Sequence, residues 1–303
     1  MARLAILVPA SFRFVPTVLS HGWYQLPPFR YDAGTSVLSR PHQFRDGGLA
    51  RLHIQDGEAP ATVDVTIDGG KLTKARRDEV TAVVTACLGL THDLAPFYRL
   101  VRRKPAYRWV EKAGGGRLLA SPTVWEDLAK TLLTTNTTWT STKHTVKRLV
   151  TLGVPFDGDH AFPTPERIAA MTVLDFHTHV RAGYRSDYLH RLATKIVSGE
   201  HAVESWRSAV LPGDELFRQL KAIRGFGDYA AGSMCRLLGR FDRLGLDSVC
   251  RAAFRRLNDD TPATDREIAA YYEPFGEWAG LALWMDVIKD HTVKTDLAPK
   301  KES

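Results

Sequence analysis

Hydrophobic and polar positions follow two different periods along the 303-residue chain, and the period changes near residue 70. Residues 52–54 and 63–67 alternate apolar and polar side chains, which is the period of β-strands with one buried face. Residues 74–88 instead repeat apolar side chains at helical spacing, so Val80 and Val84 would lie on the buried face of a helix. The pattern predicts an antiparallel sheet with a helix packed on it.

A run of three glycines, residues 114–116, interrupts this pattern and indicates a flexible break. Beyond it the apolar residues keep helical spacing nearly to the end of the chain. We therefore expect an α+β protein with three parts. These are an N-terminal antiparallel-sheet domain over residues 1–116, an all-α domain over residues 117–294 and a disordered tail over residues 295–303.

Residues 216–239 predict two helices joined by a tight glycine hairpin. Gly225 ends the first helix, Gly227 follows, and the second helix begins near Tyr229. Glycine lets the main chain approach a ligand closely, and the free N–H groups at the start of the second helix can bind an anion. The hairpin therefore suggests a phosphate site, although a plain turn between packed helices would have the same pattern.

A loop after the second helix brings Asp247 to the start of a third helix. An aspartate in this position caps the helix and interacts favourably with its dipole. A carboxylate close to a phosphate-binding hairpin also suits chemistry on DNA. The capping and chemical roles can hold together.

The hairpin and the aspartate resemble the helix-hairpin-helix superfamily of base-excision DNA glycosylases, most of all bacterial 3-methyladenine DNA glycosylase II. The matching segments are Ile223-Arg-Gly-Phe-Gly-Asp-Tyr-Ala-Ala and Leu246-Asp247-Ser-Val. Residues 162–170 and 273–284 also match the glycosylase II pattern. The resemblance implies an enzyme that flips a damaged base from duplex DNA and hydrolyses its N-glycosidic bond, with alkylated purines as the expected substrates.

The resemblance also assigns roles to single residues. Asp247 is the expected catalytic carboxylate, because it would stabilise the positive charge that develops on the sugar. Asn136 is expected to enter the gap that the flipped base leaves, with an ordinary turn residue as the alternative. The residues expected in the base pocket are Tyr229, Trp284, Ser233 and Ser248. A core tryptophan is the alternative for Trp284.

The main chain of the hairpin is expected to contact the DNA backbone at Gly225, Phe226, Gly227 and Tyr229. Hairpins of this superfamily often bind a cation through main-chain carbonyls. The carbonyls of Ile223 and Gly225 are therefore candidate ligands for a sodium, potassium or magnesium ion without a catalytic role.

The resemblance also bears on cofactors and on strand cleavage. Some members carry a four-cysteine iron–sulfur cluster near the C-terminus, but no cysteine follows Cys250, so this cluster is not expected. Members that also cut the strand carry a lysine two residues after the second hairpin glycine. Tyr229 stands there, and tyrosine is a poor Schiff-base former. We expect a monofunctional glycosylase without AP-lyase activity and without a catalytic cofactor.

Composition is compatible with this interpretation. The formal net charge of +7 and the pI near 9.3 suit a polyanionic partner such as double-stranded DNA. The three cysteines lack zinc-site spacing. The first apolar run is short for a signal peptide, and no run is long enough to span a membrane. We expect a cytoplasmic, nucleoid-associated monomer without a membrane partner.

Two other functions remain compatible with the sequence. A glycosylase on the same fold could act on oxidised, deaminated or methylated pyrimidine bases, because an aromatic pocket fits any flipped base. A non-catalytic protein could instead recognise distorted duplexes. Asp247 weighs against that function, because a binder gains nothing from an anion near the DNA backbone.

Overall fold

The computed structural model describes residues 1–208 and 211–296 of the chain. Its N-terminal part is an antiparallel sheet in the order β1-β5-β4-β3-β2. The strands of this sheet are β1 (Ala2–Leu7), β2 (Arg30–Asp32), β3 (Val37–Gln43), β4 (Leu49–Asp56) and β5 (Thr62–Asp68). A separate hairpin of two short strands, β6 (Pro155–Phe156) and β7 (Asp159–His160), interrupts the helical part.

The buried face of the sheet follows the alternation in the sequence. Leu52 of β4 pairs with Ile67 of β5, and both side chains are buried. They share one hydrophobic core with Val84 of the helix that covers Lys74–Cys87. The predicted α+β fold, with an N-terminal antiparallel sheet and helices after it, is confirmed.

In the described ranges, helices make up most of the remaining structure. The α-helices are α1 (Phe14–Val18), α2 (Lys74–Cys87), α3 (Ala95–Arg102), α4 (Arg108–Lys112), α5 (Val124–Thr134), α6 (Trp139–Val150), α7 (Pro165–Ala169), α8 (Val173–Val180), α9 (Tyr184–Val197), α10 (Gly213–Ala222), α11 (Asp228–Leu237), α12 (Ser248–Leu257), α13 (Asp265–Tyr272) and α14 (Ala279–Asp296). Short 3-10 helices cover Gly22–Gln25, Pro105–Tyr107, Val203–Arg207 and Glu273–Trp278.

Threonine caps set many of the helix starts. Thr123, Thr138, Thr164 and Thr172 each accept a hydrogen bond from the main-chain N–H three residues further on. This bond satisfies one of the N–H groups that a helix leaves without a partner in its first turn. The starts of α5 to α8 are therefore fixed locally by sequence.

Two hydrophobic cores organise the described residues, and residues before position 116 contribute to both. The first core joins the sheet and α2 to α5, α10 and α11, while the second joins α3 and α4 to α12, α13 and α14. The flexible break predicted over residues 114–116 is wrong, because all three glycines are buried. A Cβ added at Gly115 would lie 3.2 Å from the Val110 carbonyl and from Met285 Sδ. The glycines thus permit close packing rather than mobility.

A buried ionic cluster fixes α5 to the sheet. The Glu126 carboxylate accepts hydrogen bonds from Arg40 of β3 at 3.0 Å and from Lys130 at 2.7 Å. Burial alone would raise the pKa of Glu126, but the two cations and their hydrogen bonds outweigh it and lower this pKa to about 2. The cluster stays ionised and holds α5, which leads into the Asn136 loop.

The C-terminal helix runs further than the sequence predicts. Helix α14 extends to Asp296, so residues 295 and 296 of the predicted disordered tail are helical. The rest of that predicted tail, residues 297–303, lies outside the described residues. In the described parts of the chain no helix is both long enough and apolar enough to cross a bilayer.

Candidate active site

A cavity of about 880 Å³ opens where the sheet-containing region meets the helices. This volume is within the range of small-molecule sites and can admit a nucleobase. Its lining includes His21, Trp23, Thr134, Asn136, Trp139, Tyr229, Ser233, Arg236, Asp247, Ser248, Arg251 and Trp284. Residues separated by more than 260 positions therefore meet at one site.

The predicted glycine hairpin connects α10 to α11 beside this cavity. The Phe226 N–H donates to the Ile223 carbonyl at 3.0 Å and closes the turn. Gly225 has φ of +95°, and a Cβ there would lie 2.7 Å from Leu132 and 2.8 Å from Tyr188. Both the backbone angle and the crowding therefore require glycine.

The second hairpin glycine leaves the start of α11 open. Gly227 is exposed, and a Cβ added there would meet no atom within 4 Å. The Phe226 side chain is buried, so it anchors the turn and only its main chain can face a ligand. Asp228 forms a salt bridge with Lys221, which offsets its negative charge beside the free N–H groups.

Asp247 caps α12 at the mouth of the cavity. Its Oδ1 accepts a hydrogen bond from the Cys250 N–H at 2.7 Å, as an N-cap aspartate does. The side chain also lines the cavity, so capping does not remove the carboxylate from the site. Burial raises the pKa of the Cys250 thiol to about 12, which leaves this cysteine protonated and unreactive.

The loop that delivers Asp247 is held from two sides by close main-chain contacts. A Cβ added at Gly232 of α11 would lie 2.5 Å from Gly245 Cα, and one added at Gly280 of α14 would lie 2.0 Å from the Arg243 carbonyl. The Gly280 N–H also donates to the Phe241 carbonyl at 2.7 Å. Glycines on two helices thus allow the loop to sit in a fixed position.

Aromatic side chains form two walls of the cavity. The Tyr229 and Thr134 hydroxyls are hydrogen-bonded at 3.2 Å. Burial raises the pKa of Tyr229, so its phenol stays neutral. The Trp284 indole N–H donates to the Ser20 carbonyl at 2.9 Å, which fixes the ring against the N-terminal region.

The N-terminal region supplies cavity residues that the sequence patterns did not assign to the site. His21 and Trp23 line the cavity, with their ring centroids 4.5 Å apart. The Trp23 indole N–H donates to the Asp127 carboxylate at 2.8 Å, and the Trp139 indole N–H donates to Gln25 at 2.9 Å. The aromatic cluster around residues 12–29 signals a packed region, but only the fold shows which of its rings face the cavity.

Arg236 was also missed, because its place within the apolar stretch of α11 indicates a core helix only. Its side chain is buried, and its Nη1 donates to the carbonyls of Leu244 at 3.0 Å and Gly280 at 3.1 Å. The guanidinium carbon lies 4.7 Å from the centroid of the Trp284 ring. Burial lowers the pKa of Arg236, but arginine keeps its charge in proteins.

Asn136 projects from the loop between α5 and α6 at the rim of the cavity. Its φ of +47° lies in the left-handed region, which asparagine tolerates better than most residues. The side-chain amide of Asn136 donates to the Tyr184 hydroxyl at 3.1 Å, and Arg185 donates to the main-chain carbonyl of Asn136 at 3.3 Å. The loop is therefore held in a strained conformation that presents an exposed polar side chain.

The structure brings most of the predicted site residues together. Asp247, Tyr229, Trp284, Ser233, Ser248 and Asn136 all line the same cavity. Ser248 is exposed, so it lies at the mouth rather than deep in the pocket. The hairpin residues Gly225, Phe226 and Gly227 are not part of the lining. Among the described residues no cluster of three or more histidine, cysteine or carboxylate side chains could hold a metal ion.

Known proteins with similar sequences or folds are consistent with this geometry. No family model matches the chain. The chain is 25% identical to the DNA-3-methyladenine glycosylase of Bacillus subtilis (strain 168) over 232 aligned residues. The alignment covers 72% of this chain and 75% of that protein.

Two solved structures share the fold over nearly the whole length. The 3-methyladenine DNA-glycosylase from Archaeoglobus fulgidus has a TM-score of 0.73 and 21% identity, covering 96% of this chain and 99% of that one. The Clostridium acetobutylicum 8-oxoguanine glycosylase/lyase, in complex with double-stranded DNA containing cytosine opposite to 8-oxoG, has a TM-score of 0.70 and 17% identity. It covers 94% of this chain and 93% of that one. The resemblance found in the sequence is confirmed, and these structures share the fold.

Proposed function

We propose that the protein is a monofunctional DNA glycosylase that flips a modified base from double-stranded DNA and hydrolyses its N-glycosidic bond. The observation that carries this proposal is the position of Asp247, which caps α12 and at the same time faces the cavity beside the glycine hairpin. The comparisons support it, because the sequence relative and the structures above are named as DNA glycosylases.

The chemistry follows from the placement of charge. Cleavage of the N-glycosidic bond develops positive charge on the sugar, and a carboxylate held next to the sugar stabilises that charge. Asp247 lies at the mouth of the cavity, so a base inside the cavity would leave its sugar near this carboxylate. Asp247 would also orient the water that attacks the sugar carbon. The base leaves with the electron pair of the C–N bond, and the water oxygen bonds to the sugar carbon. The proton that the water loses passes to the leaving base or, when the bound base is cationic, to solvent, so that the free base and an abasic site result.

The DNA contacts that we propose follow the same geometry. The main chain of the hairpin at Gly225, Phe226, Gly227 and Tyr229 would contact the DNA backbone, with the free N–H groups at the start of α11 binding a phosphate. Asn136 would fill the gap in the stack. A cation at the carbonyls of Ile223 and Gly225 is a further part of the proposal. The Ile223 carbonyl already accepts the Phe226 N–H, so it would offer the cation its second lone pair.

The absence of AP-lyase activity is also part of the proposal. A lyase needs an amine to form a Schiff base with the sugar. Tyr229 occupies the position where lyases of this superfamily carry lysine, and no lysine lines the cavity in the described residues. Borohydride should therefore not trap a covalent complex with DNA, and the product strand should stay intact until alkali is added.

For the substrate, we put alkylated purines first, because the aromatic walls can stack on a purine and because two of the relatives are named for 3-methyladenine. Oxidised, deaminated and methylated pyrimidine bases are the alternative class, which the relative named for 8-oxoguanine supports in part. A non-catalytic damaged-DNA-binding protein is the other alternative.

The proposal is tested by release of free bases from damaged genomic DNA, followed by mass spectrometry, with wild type and Asp247→Asn in parallel. Asparagine also caps helices well, so this variant should fold and bind DNA normally. We expect wild type to release bases and the rate of release to fall at least about 100-fold in the variant, because the loss of one preorganised electrostatic group slows a reaction by that amount. Equal release by both proteins would refute the role of Asp247. Duplex binding without release from any substrate would favour the non-catalytic alternative.

A further inference from the structure

We infer that Arg236 and His21 make the cavity select a neutral modified base that carries an N–H group, and that they disfavour cationic bases such as purines alkylated at N3 or N7. This inference rests on the proposed function and changes its order of substrates, because it places neutral bases before the cationic purines alkylated at N3 or N7. It is carried by the distribution of charge between the mouth and the floor of the cavity.

The negative charge of the site lies at the mouth. Asp247 is half-buried, and it is the one carboxylate that lines the cavity among the described residues. In the proposed reaction it faces the sugar. Arg251 also lies at the mouth, but it is exposed and forms a bidentate salt bridge with Asp265. The charge of Arg251 is therefore largely neutralised and screened by solvent.

Among the residues that the structure describes, the positive charge at the floor forms no salt bridge with a carboxylate. Arg236 is 4% exposed, and the hydrogen bonds of its Nη1 go to the main-chain carbonyls of Leu244 and Gly280. Carbonyl dipoles stabilise the guanidinium but leave its net charge in place. Because Arg236 is buried, solvent screens its charge only weakly, and this charge acts on any group that enters the cavity.

Trp284, on which a base in the cavity could stack, also favours a neutral base over a cationic one. A cationic base would gain most by stacking on an electron-rich aromatic face. The Arg236 guanidinium already occupies one face of the Trp284 ring at 4.7 Å, so the ring can offer little further cation–π attraction to a charged base. A cationic base would meet repulsion from Arg236 instead, whereas a neutral base would stack without this penalty.

His21 adds a hydrogen-bond acceptor to the same cavity. Its Nε2 lies 2.6 Å from the Leu119 carbonyl, and a carbonyl can only accept, so Nε2 carries the hydrogen. Burial, with smaller contributions from the nearby charges of Arg236 and Lys130, lowers the pKa of His21 to about 3. The ring is therefore neutral, and its Nδ1 is an acceptor without a hydrogen-bond partner among the described residues. An N–H on the edge of the base would satisfy this nitrogen.

The test uses duplex oligonucleotides that differ only in one central base, with single-turnover rates of base release as the readout. The cationic substrate is 7-methylguanine, corrected for spontaneous loss with Asp247→Asn. Hypoxanthine and 8-oxoguanine are neutral bases with an N–H, and 1,N6-ethenoadenine is a neutral base that lacks an N–H on its modified edge. Wild type should release a neutral base faster than 7-methylguanine.

The variants separate charge from folding. Arg236→Met removes the charge, and the ratio of the 7-methylguanine rate to the hypoxanthine rate should rise at least about tenfold, because a like charge is removed from a dry site. Arg236→Lys keeps a charge and should keep most of the wild-type ratio. A ratio is used because a general disturbance of the Asp247 loop slows both substrates alike.

His21→Gln tests the acceptor. A glutamine amide can take the place of Nε2 and still donate to the Leu119 carbonyl, but it offers no counterpart of Nδ1. The ratio of the hypoxanthine or 8-oxoguanine rate to the 1,N6-ethenoadenine rate should fall about tenfold, because only the bases with an N–H lose a hydrogen bond in the site.

The outcomes distinguish this inference from the proposed function. An unchanged rate ratio in Arg236→Met, or faster release of 7-methylguanine than of all neutral bases by wild type, would overturn the inference and leave the glycosylase proposal intact. Release of none of these bases by a wild type that does release bases from damaged genomic DNA would overturn the inference alone. Release from neither kind of DNA would contradict the proposed function and, with it, this assignment.

Discussion

Substitution of Gly232 by alanine tests whether the position of the Asp247 loop sets the rate of base release. Gly232 lies within α11, where intrinsic helix propensity alone favours alanine by about 1 kcal/mol. The structure gives the opposite prediction. A Cβ at Gly232 would lie 2.5 Å from Gly245 Cα and 2.7 Å from the Gly245 nitrogen, whereas ordinary contacts begin at 3.4 Å.

The required displacement is therefore about 1 Å, and it falls on main chain that has no flexible end to move aside. Gly245 stands two residues before Asp247, so the shift reaches the carboxylate almost undiminished. A misplacement of about 1 Å at a reacting centre costs on the order of 100-fold in rate. Crowding of this kind also costs about 1–3 kcal/mol, which outweighs the gain in helix propensity.

We expect Gly232→Ala to lower the single-turnover rate by about 100-fold and to lower the free energy of unfolding by roughly 1 kcal/mol. DNA affinity should change little, because the nearest atoms that the added Cβ would meet belong to Leu244 and Gly245, and not to the hairpin or the Asn136 loop. Gly280→Ala should act in the same way, since its Cβ would lie 2.0 Å from the Arg243 carbonyl of the same loop. Gly34→Ala, in a turn of the sheet with its nearest contact at 3.3 Å, is the control.

A more stable Gly232→Ala protein with an unchanged rate would show that the loop is not braced by α11. A loss of stability without a loss of rate would show that the loop is braced but that its position does not control the chemistry. Either result would refute part of the reasoning.

Three further predictions concern the rest of the molecule. Glu126→Gln should lower the free energy of unfolding in urea by about 3–5 kcal/mol, because Arg40 and Lys130 lose their buried partner. Glu111→Gln, at the exposed pair with Arg102, should cost about 1 kcal/mol or less. Equal losses in the two variants would contradict the buried pairing. Asn136→Gly, which keeps the φ of +47° without the side chain, should slow release about tenfold from a paired lesion and less from a mispaired one, and a uniform effect would argue against a wedge. Because the pKa of His21 is lowered to about 3, the imidazole takes up a proton at a higher pH in the unfolded chain than in the folded one, so the free energy of unfolding should fall as the pH decreases from about 6.5 towards 3. Thermal unfolding of His21→Gln should show a shallower fall. Parallel pH profiles of the two proteins would contradict the buried neutral histidine.

Local physical chemistry was enough to predict the elements that carry the site. The alternation in residues 52–54 and 63–67 predicted β4 and β5, because side chains of a strand alternate between two faces. The two glycines at 225 and 227 predicted the hairpin, since Gly225 has a positive φ in a crowded position and Gly227 leaves the start of α11 open. Asp247 predicted the start of α12, because a carboxylate caps the first free N–H groups of a helix.

Local signals also led to the wrong expectation of a flexible break at residues 114–116. Three consecutive glycines favour flexibility when only the neighbouring sequence is considered. In the fold they serve the opposite purpose, because Gly115 lies against Val110 and Met285, a residue 170 positions further along the chain. Whether a glycine is mobile or tightly packed depends on what approaches it from elsewhere.

The sequence by itself therefore determined the fold class, the hairpin, and the identity of the capping carboxylate, all of which depend on neighbouring residues. The tertiary structure decided the composition of the pocket. His21 and Trp23 reach the cavity from the N-terminal region, and Arg236 meets Trp284 from another helix. Their roles depend on burial, on the direction of each side chain and on which charges lie nearby, and these properties arise only when segments distant in the chain pack together.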